Sequence, residues 1–120
     1  MCSDVEIPLL DLESADPLGS YRAALDRLAS VAGVRVVVPG HGRPGDAAAF
    51  RSRLAADAAY LDALPRPPAA SAAADFSAAA DSSVAAAVTD PRLAAAPDWL
   101  LADHARQLAF AMQRPAPAAL

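Results

Sequence analysis

At 120 residues the chain can form one modest domain, and it is too short for two separate hydrophobic cores. The apolar fraction of 55% overstates the available core, because 34 of these residues are alanine and bury little area per side chain. Ten arginines and no lysine face fourteen acidic residues, for a net charge of -4. The composition therefore predicts no nucleic-acid partner, since phosphate binding needs clustered positive charge.

The cysteine content and the N-terminal sequence indicate the cellular compartment of the protein. Cys2 is the single cysteine, so no internal disulfide can form. Asp4, Glu6 and Asp11 interrupt the first apolar run, which therefore does not resemble a signal peptide. No stretch approaches the length of an uncharged membrane span. These features predict a cytoplasmic protein without a membrane partner.

The first third of the chain predicts an extended segment followed by a helix. Residues 5–10 are apolar and partly alternating, but Pro8 restricts them to an edge strand or an extended loop. Asp16 can cap a helix whose first position is Pro17, and Gly33 is suited to end it. The apolar residues at helical spacing are Leu18, Tyr21, Leu25, Leu28 and Ala32.

A strand, a glycine-rich loop and a second helix follow. Residues 34–38 are β-branched apart from one arginine, which predicts a strand buried on at least one face. Residues 39–42, with the sequence PGHG, form a tight loop, and Asp46 offers a second N-cap for a helix that runs to about Leu64. The predicted buried face of this helix consists of Phe50, Leu54, Leu61 and Leu64.

The remainder of the chain predicts a linker and a third helix. Residues 65–83 are rich in Ala, Pro and Ser and read as a flexible linker or insertion, and the alanines at 85–87 could be transiently helical. Residues 1–64 and 84–120 would then be two parts of one domain. The third helix would open at residues 97–99 and be limited by Pro115. Its predicted shared face consists of Leu101, Ala105, Leu108 and Met112.

His41 is the residue most suited to carry chemistry. A histidine on a glycine-flanked loop at the end of a strand lies where ligands and metals commonly meet an α/β sheet. The pattern alone also fits an exposed loop histidine whose glycines only turn the chain. The surrounding sequence is needed to decide between these two interpretations.

That longer sequence resembles metallo-β-lactamase-fold hydrolases. Residues 36–42, VVVPGHG, are similar to the strand and loop that carry the final metal-binding histidine of this family. Residues 1–11 resemble the family segment after the bridging aspartate, and residues 16–28 resemble the helix that follows. Similarity to the tail of one bacterial subgroup extends over residues 60–64, 90–93 and 98–100. The linker remains unmatched.

The resemblance implies a metal-dependent activity of which this chain carries one ligand. In the family, two metal ions, usually zinc, are held by an HxHxDH motif, a further histidine, a bridging aspartate and the final histidine. A metal-bound hydroxide attacks the substrate. The resemblance assigns His41 as the last ligand, on the second metal, and transfers no other residue. The sequence contains no HxHxDH motif, and the bridging aspartate would lie before Met1.

The fold implied by the resemblance is α/β. It is a partial αβ/βα sandwich, namely the C-terminal half of the metallo-β-lactamase fold, with three helices around one clear strand plus an edge strand. Local replacements for the missing ligands lack metal-site spacing to His41. These replacements are Cys2, Asp4, Asp16, Asp46 and His104.

Two functional hypotheses follow, and they leave open whether the chain is itself an enzyme. In the first, the chain is a fragment of a zinc-dependent hydrolase that is inactive alone and whose partner is the missing N-terminal half or another chain. Zinc would not be held tightly by the chain alone, because a catalytic zinc needs about three protein ligands. In the second, the chain is a non-catalytic α/β interaction module. The sequence does not select a substrate.

Overall fold

A computed structural model describes residues 1–65 and 89–114. This part of the chain combines three α-helices with a two-stranded antiparallel sheet, which agrees with the predicted α/β class. The predicted linker, except for Pro65, and the proposed helix limit at Pro115 lie outside the described residues. In chain order the elements are α1 (Pro17–Ala29), β1 (Val36–Val37), β2 (Gly45–Asp46), α2 (Ala47–Ala63), a short 3₁₀ turn (Pro91–Leu93) and α3 (Asp98–Gln113).

Both predicted N-caps are confirmed. The Asp16 carboxylate accepts a hydrogen bond from the Gly19 amide at 3.0 Å, and Pro17 is the first residue of α1. The Asp46 carboxylate accepts from the Ala49 amide at 2.8 Å at the start of α2. The predicted end of α1 is wrong, because the helix ends at Ala29 and the chain turns before Gly33 is reached.

The predicted strand at residues 34–38 is shorter and more exposed than expected. β1 contains two residues and pairs antiparallel with β2, so that Val36 lies opposite Asp46 and Val37 opposite Gly45. Val36 is 64% and Val38 is 73% exposed, whereas Val37 packs against the core. The small sheet therefore covers only part of the valine-rich segment.

Of the two alternatives predicted for residues 5–10, the extended loop is confirmed and the edge strand is wrong, because the segment has no strand pairing. Ile7 and Pro8 are nevertheless fully buried, and Cys2 is 4% exposed. The segment packs into the core as irregular backbone, and three of its amides are bonded to side chains, among them the Leu10 amide to Gln107 of α3.

The core is built from all three helices and the N-terminal segment. The predicted apolar face of α2 is confirmed, since all four of its residues are buried. The predicted face of α3 is confirmed at Leu108 and wrong at its start, because Leu100 is fully buried while Leu101 is 42% exposed. The buried face of α3 consists of Leu100, His104, Gln107, Leu108 and Ala111.

Candidate functional site

The loop that carries His41 is fastened to the N-terminal segment. Ser3 donates its hydroxyl hydrogen to the His41 carbonyl oxygen at 2.8 Å, and the Asp4 carboxylate accepts from the Arg43 amide at 2.8 Å. Gly42 has a φ of +107°, and a Cβ at this position would lie 2.2 Å from an Asp4 oxygen. The glycine is therefore required by both backbone conformation and space. Arg53 of α2 holds the Arg43 carbonyl from the other side at 2.8 Å.

The His41 imidazole is exposed and paired with a carboxylate. Its Nδ1 atom lies 2.8 Å from Glu6 Oε1. The His41 side chain is 75% exposed, whereas the Glu6 side chain is only 14% exposed. The pair therefore consists of a largely buried acceptor and an imidazole that remains open to a ligand.

Glu6 is held in place through its main chain as well. The Glu6 amide donates to Ser3 Oγ at 3.1 Å, and the Glu6 carbonyl accepts from Arg92 Nη1 at 2.8 Å. Ser3 and Arg92 thus fix the two backbone groups of Glu6, and the side chain contacts His41. Because the Ser3 hydroxyl also donates to the His41 carbonyl, it is hydrogen-bonded to the backbone of both residues of the pair.

Behind Glu6 lies a buried ion cluster centred on Arg92. Its Nη1 atom lies 2.6 Å from Asp57 Oδ1, and its Nη2 atom lies 2.8 Å from Asp90 Oδ2. All three side chains are less than one tenth exposed. The second Asp57 oxygen accepts from the Cys2 amide at 3.2 Å and from the Tyr21 hydroxyl at 3.4 Å. The charges are compensated and hydrogen-bonded, as burial requires.

The electrostatics of this cluster favour the ionised form of Asp90. Burial alone would raise the pKa of Asp90, but hydrogen bonds and charge from Arg92 outweigh it and hold that pKa below its ordinary value. Burial beside the Asp57 charge raises the pKa of the Tyr21 hydroxyl, which therefore stays protonated and can donate to that carboxylate.

A second buried polar network links α2 and α3. The Tyr60 hydroxyl lies 2.9 Å from His104 Nδ1 and accepts from Gln107 Nε2 at 2.9 Å. The Gln107 carbonyl oxygen accepts from the Leu10 amide at 2.6 Å. These bonds explain why polar residues occupy the buried face of α3. Burial lowers the pKa of His104, with a smaller opposing effect of Asp90.

This network predicts a pH dependence of stability. The pKa of His104 is lower in the folded than in the unfolded protein. The stability that neutral His104 contributes is therefore fully present above about pH 6.5, and it is lost as the pH falls towards the pKa of His104 in the folded protein. We expect the free energy of unfolding to fall by up to about 1.4 kcal/mol per pH unit there. Urea titrations between about pH 4.5 and pH 8 measure this dependence. An equally steep dependence in His104→Gln would contradict the assignment.

The other candidate residues are not brought to His41 as a metal site. Asp16 and Asp46 cap helices, Asp4 binds Arg43, and His104 is buried with Tyr60. Cys2 is buried, and burial together with the Asp57 charge raises the pKa of its thiol, which disfavours the thiolate needed of a nucleophile or ligand. Within residues 1–65 and 89–114, no group of three or more His, Cys, Asp or Glu side chains could hold a metal.

The arrangement around His41 does not form a nucleophilic triad. The Ser3 hydroxyl donates to the His41 carbonyl and not to the imidazole, so His41 has no contact through which to activate it. A cleft of about 310 Å³ lies between residues 9–13 and α3, and His41 does not line it. An exposed imidazole beside a carboxylate can instead serve as one ligand, or as a proton acceptor, for a group brought from outside.

Glu6, Asp57 and Arg92 were missed as functional or supporting residues in the sequence. The sequence indicated for residues 90–93 only a similarity to the C-terminal part of one bacterial subgroup, and it assigned no role to them. Arg92 and Asp57 lie 35 positions apart, and Glu6 and Arg92 lie 86 apart. A signal existed for Arg92 alone, since the Asp90-Pro91 pair predicts a capped turn that fixes the following residue.

In the part of the chain that the structure describes, no helix has the length and apolar character needed to cross a membrane. Comparisons of the chain with protein-family models, with curated proteins and with solved structures found no match.

Proposed function

We propose that the chain is the C-terminal part of a metal-dependent hydrolase in which His41 is a ligand of a zinc ion. The observation that carries the proposal is the placement of the imidazole: it is 75% exposed, on a glycine-flanked loop after β1, with Nδ1 beside a carboxylate. Metal-binding histidines commonly have their second ring nitrogen bonded to a carboxylate in this way. The resemblance of residues 36–42 to the final-histidine loop of metallo-β-lactamase-fold enzymes supports the same role.

In this proposal the remaining ligands come from another segment or another chain. One imidazole is insufficient, because catalytic zinc takes about three protein ligands and leaves a position open for water. Bound zinc would lower the pKa of that water and stabilise negative charge on the substrate. The contribution of this chain is to present His41 on a loop that Ser3, Asp4 and Arg53 hold in place. In this proposal the chain forms the C-terminal half of an αβ/βα sandwich.

The exposed valines support the need for a neighbouring segment. Val36 is 64% and Val38 is 73% exposed, on β1 and directly after it, and Val31, between α1 and β1, is 53% exposed. Within residues 1–65 and 89–114, β1 pairs with β2 and with no other strand. A neighbouring strand could pair with the edge of β1 opposite β2 and would complete a sheet next to the His41 loop.

The proposal predicts that the isolated chain does not bind zinc tightly. We expect a dissociation constant weaker than about 1 µM, because His41 alone offers fewer ligands than a stable site needs. Calorimetric titration of tag-free protein with zinc measures this constant. Stoichiometric binding tighter than this, abolished by His41→Ala and retained by His104→Gln, would mean that further ligands exist within the chain.

The DNA upstream of the Met1 codon tests the proposal directly. An in-frame extension that encodes an HxHxDH motif and an aspartate shortly before Met1 is the expected result. An in-frame stop codon, without a separate gene that supplies these ligands to a complex, contradicts the hydrolase.

The alternative is a non-catalytic interaction module, and the same exposed valines favour it. In that case the apolar edge of β1 would bind a partner protein, and His41 would be a surface residue. The two functions differ in the effect of His41→Ala, which would leave partner binding through the valines intact but would remove a metal ligand.

A further inference from the structure

The contact between His41 and Glu6 determines which imidazole nitrogen carries the proton. An ionised carboxylate has no hydrogen to donate, so the short contact at 2.8 Å requires a hydrogen on His41 Nδ1. In the neutral imidazole the other nitrogen, Nε2, is then unprotonated and has a free lone pair. Since the ring is largely exposed, this lone pair is available to an external ligand.

The position of the Glu6 carboxylate is itself constrained. Its backbone is bound on one side by Ser3 and on the other by Arg92, which is fixed by Asp57 and Asp90. The Glu6 side chain is 14% exposed and therefore has little freedom to turn towards solvent. The Glu6 carboxylate, which is held in place by buried groups, thus orients the exposed ring of His41. A surface histidine without such a partner would rotate.

We propose that Glu6 is a positioning residue that keeps the His41 proton on Nδ1 and leaves Nε2 unprotonated, as a metal ligand requires. This inference rests on the proposed function for the identity of the ligand, while the proton position is a property of this chain alone. Glu6 does not touch the metal or the substrate in this proposal. It acts through the orientation and the protonation of the imidazole, as outer-sphere carboxylates do.

The second histidine provides an internal comparison. The Tyr60 hydroxyl accepts a hydrogen from Gln107, so its own hydrogen is free to be donated to His104 Nδ1. His104 Nδ1 is then an acceptor, and its proton lies on Nε2. The two histidines of the chain are therefore expected in opposite neutral tautomers.

Long-range ¹H–¹⁵N NMR of the imidazole rings measures these tautomers directly. Spectra of the full chain, labelled on histidine and recorded at about pH 9 where imidazole is neutral, are compared with those of Glu6→Met and Glu13→Met. Methionine keeps the length of glutamate and removes the acceptor oxygens, and Glu13 is the only other glutamate. His41→Ala assigns the signals, and amide spectra establish that each variant is folded.

The expected result is His41 protonated on Nδ1 in the wild type and in Glu13→Met, with loss of this state in Glu6→Met while His104 is unchanged. A wild-type His41 that carries its proton mainly on Nε2 overturns the proposal without any variant. Retention of the Nδ1 proton in folded Glu6→Met overturns it as well. Neither outcome depends on metal binding, so a failure here is distinguishable from a failure of the hydrolase proposal.

Discussion

Replacement of Arg92 by alanine is expected to destabilise the fold by about 3–5 kcal/mol, the usual cost of breaking a buried ion pair. The change would leave Asp57 and Asp90 as uncompensated buried charges, both less than one tenth exposed. It would also remove the hydrogen bonds to the Glu6 and Ala56 carbonyls. A loss of this size is a large share of the 5–15 kcal/mol typical of a domain.

Urea-induced unfolding, followed by circular dichroism, measures the effect, and an exposed ion pair provides the matched control. Arg22 and Asp62 lie 2.7 Å apart, but their side chains are 40% and 62% exposed. Arg22→Ala is therefore expected to cost less than about 1 kcal/mol. If Arg92→Ala were no more destabilising than Arg22→Ala, Arg92 would not be the centre of a buried cluster.

Features set by neighbouring residues were predictable from the sequence. Asp16 and Asp46 bond to amides three positions along the chain, so a local pattern contains all that the cap requires. The apolar face of α2 was likewise predicted, because its large side chains recur at one helical spacing. The resemblance of the His41 loop identified the residue that the structure presents at the surface, and its role as a ligand stays a prediction.

The register of α3 could not be predicted because its buried face is partly polar. His104 and Gln107 are buried only because Tyr60 and the Leu10 amide satisfy them. A pattern of apolar residues does not mark such polar positions as buried, and it therefore places the predicted face on Leu101. The partners that reverse this assignment come from other elements.

The strand was mispredicted for a different physical reason. β-branched residues favour extended backbone, but strand length depends on the partner strand available. β2 offers only Gly45 and Asp46, so β1 is limited to two residues and the flanking Val38 is exposed. For residues 5–10 the pattern left an edge strand and a loop open, and the loop forms because no strand pairs with this segment.

The prediction with the largest expected effect on activity concerns His41 in the protein translated from the extended reading frame that the proposed function requires. There His41→Ala should lower the metal content from two ions towards one, because only one metal loses a ligand. Turnover should fall by more than about 100-fold, beyond the 10–100-fold range of changes outside the ligand set. The fold should persist, since the imidazole is 75% exposed and its loss opens no cavity.

Metal per chain, measured by atomic emission, and hydrolysis of a panel of thioesters, lactones and phosphodiesters test this expectation together. His104→Gln is the matched control, because His104 is bonded to Tyr60 inside the core and has no place at the proposed site. The control should keep both metals, so a loss of metal confined to His41→Ala would identify the ligand. Retention of two ions and full turnover with alanine at position 41 would remove His41 from the metal site, and the hydrolase proposal would lose the observation on which it depends.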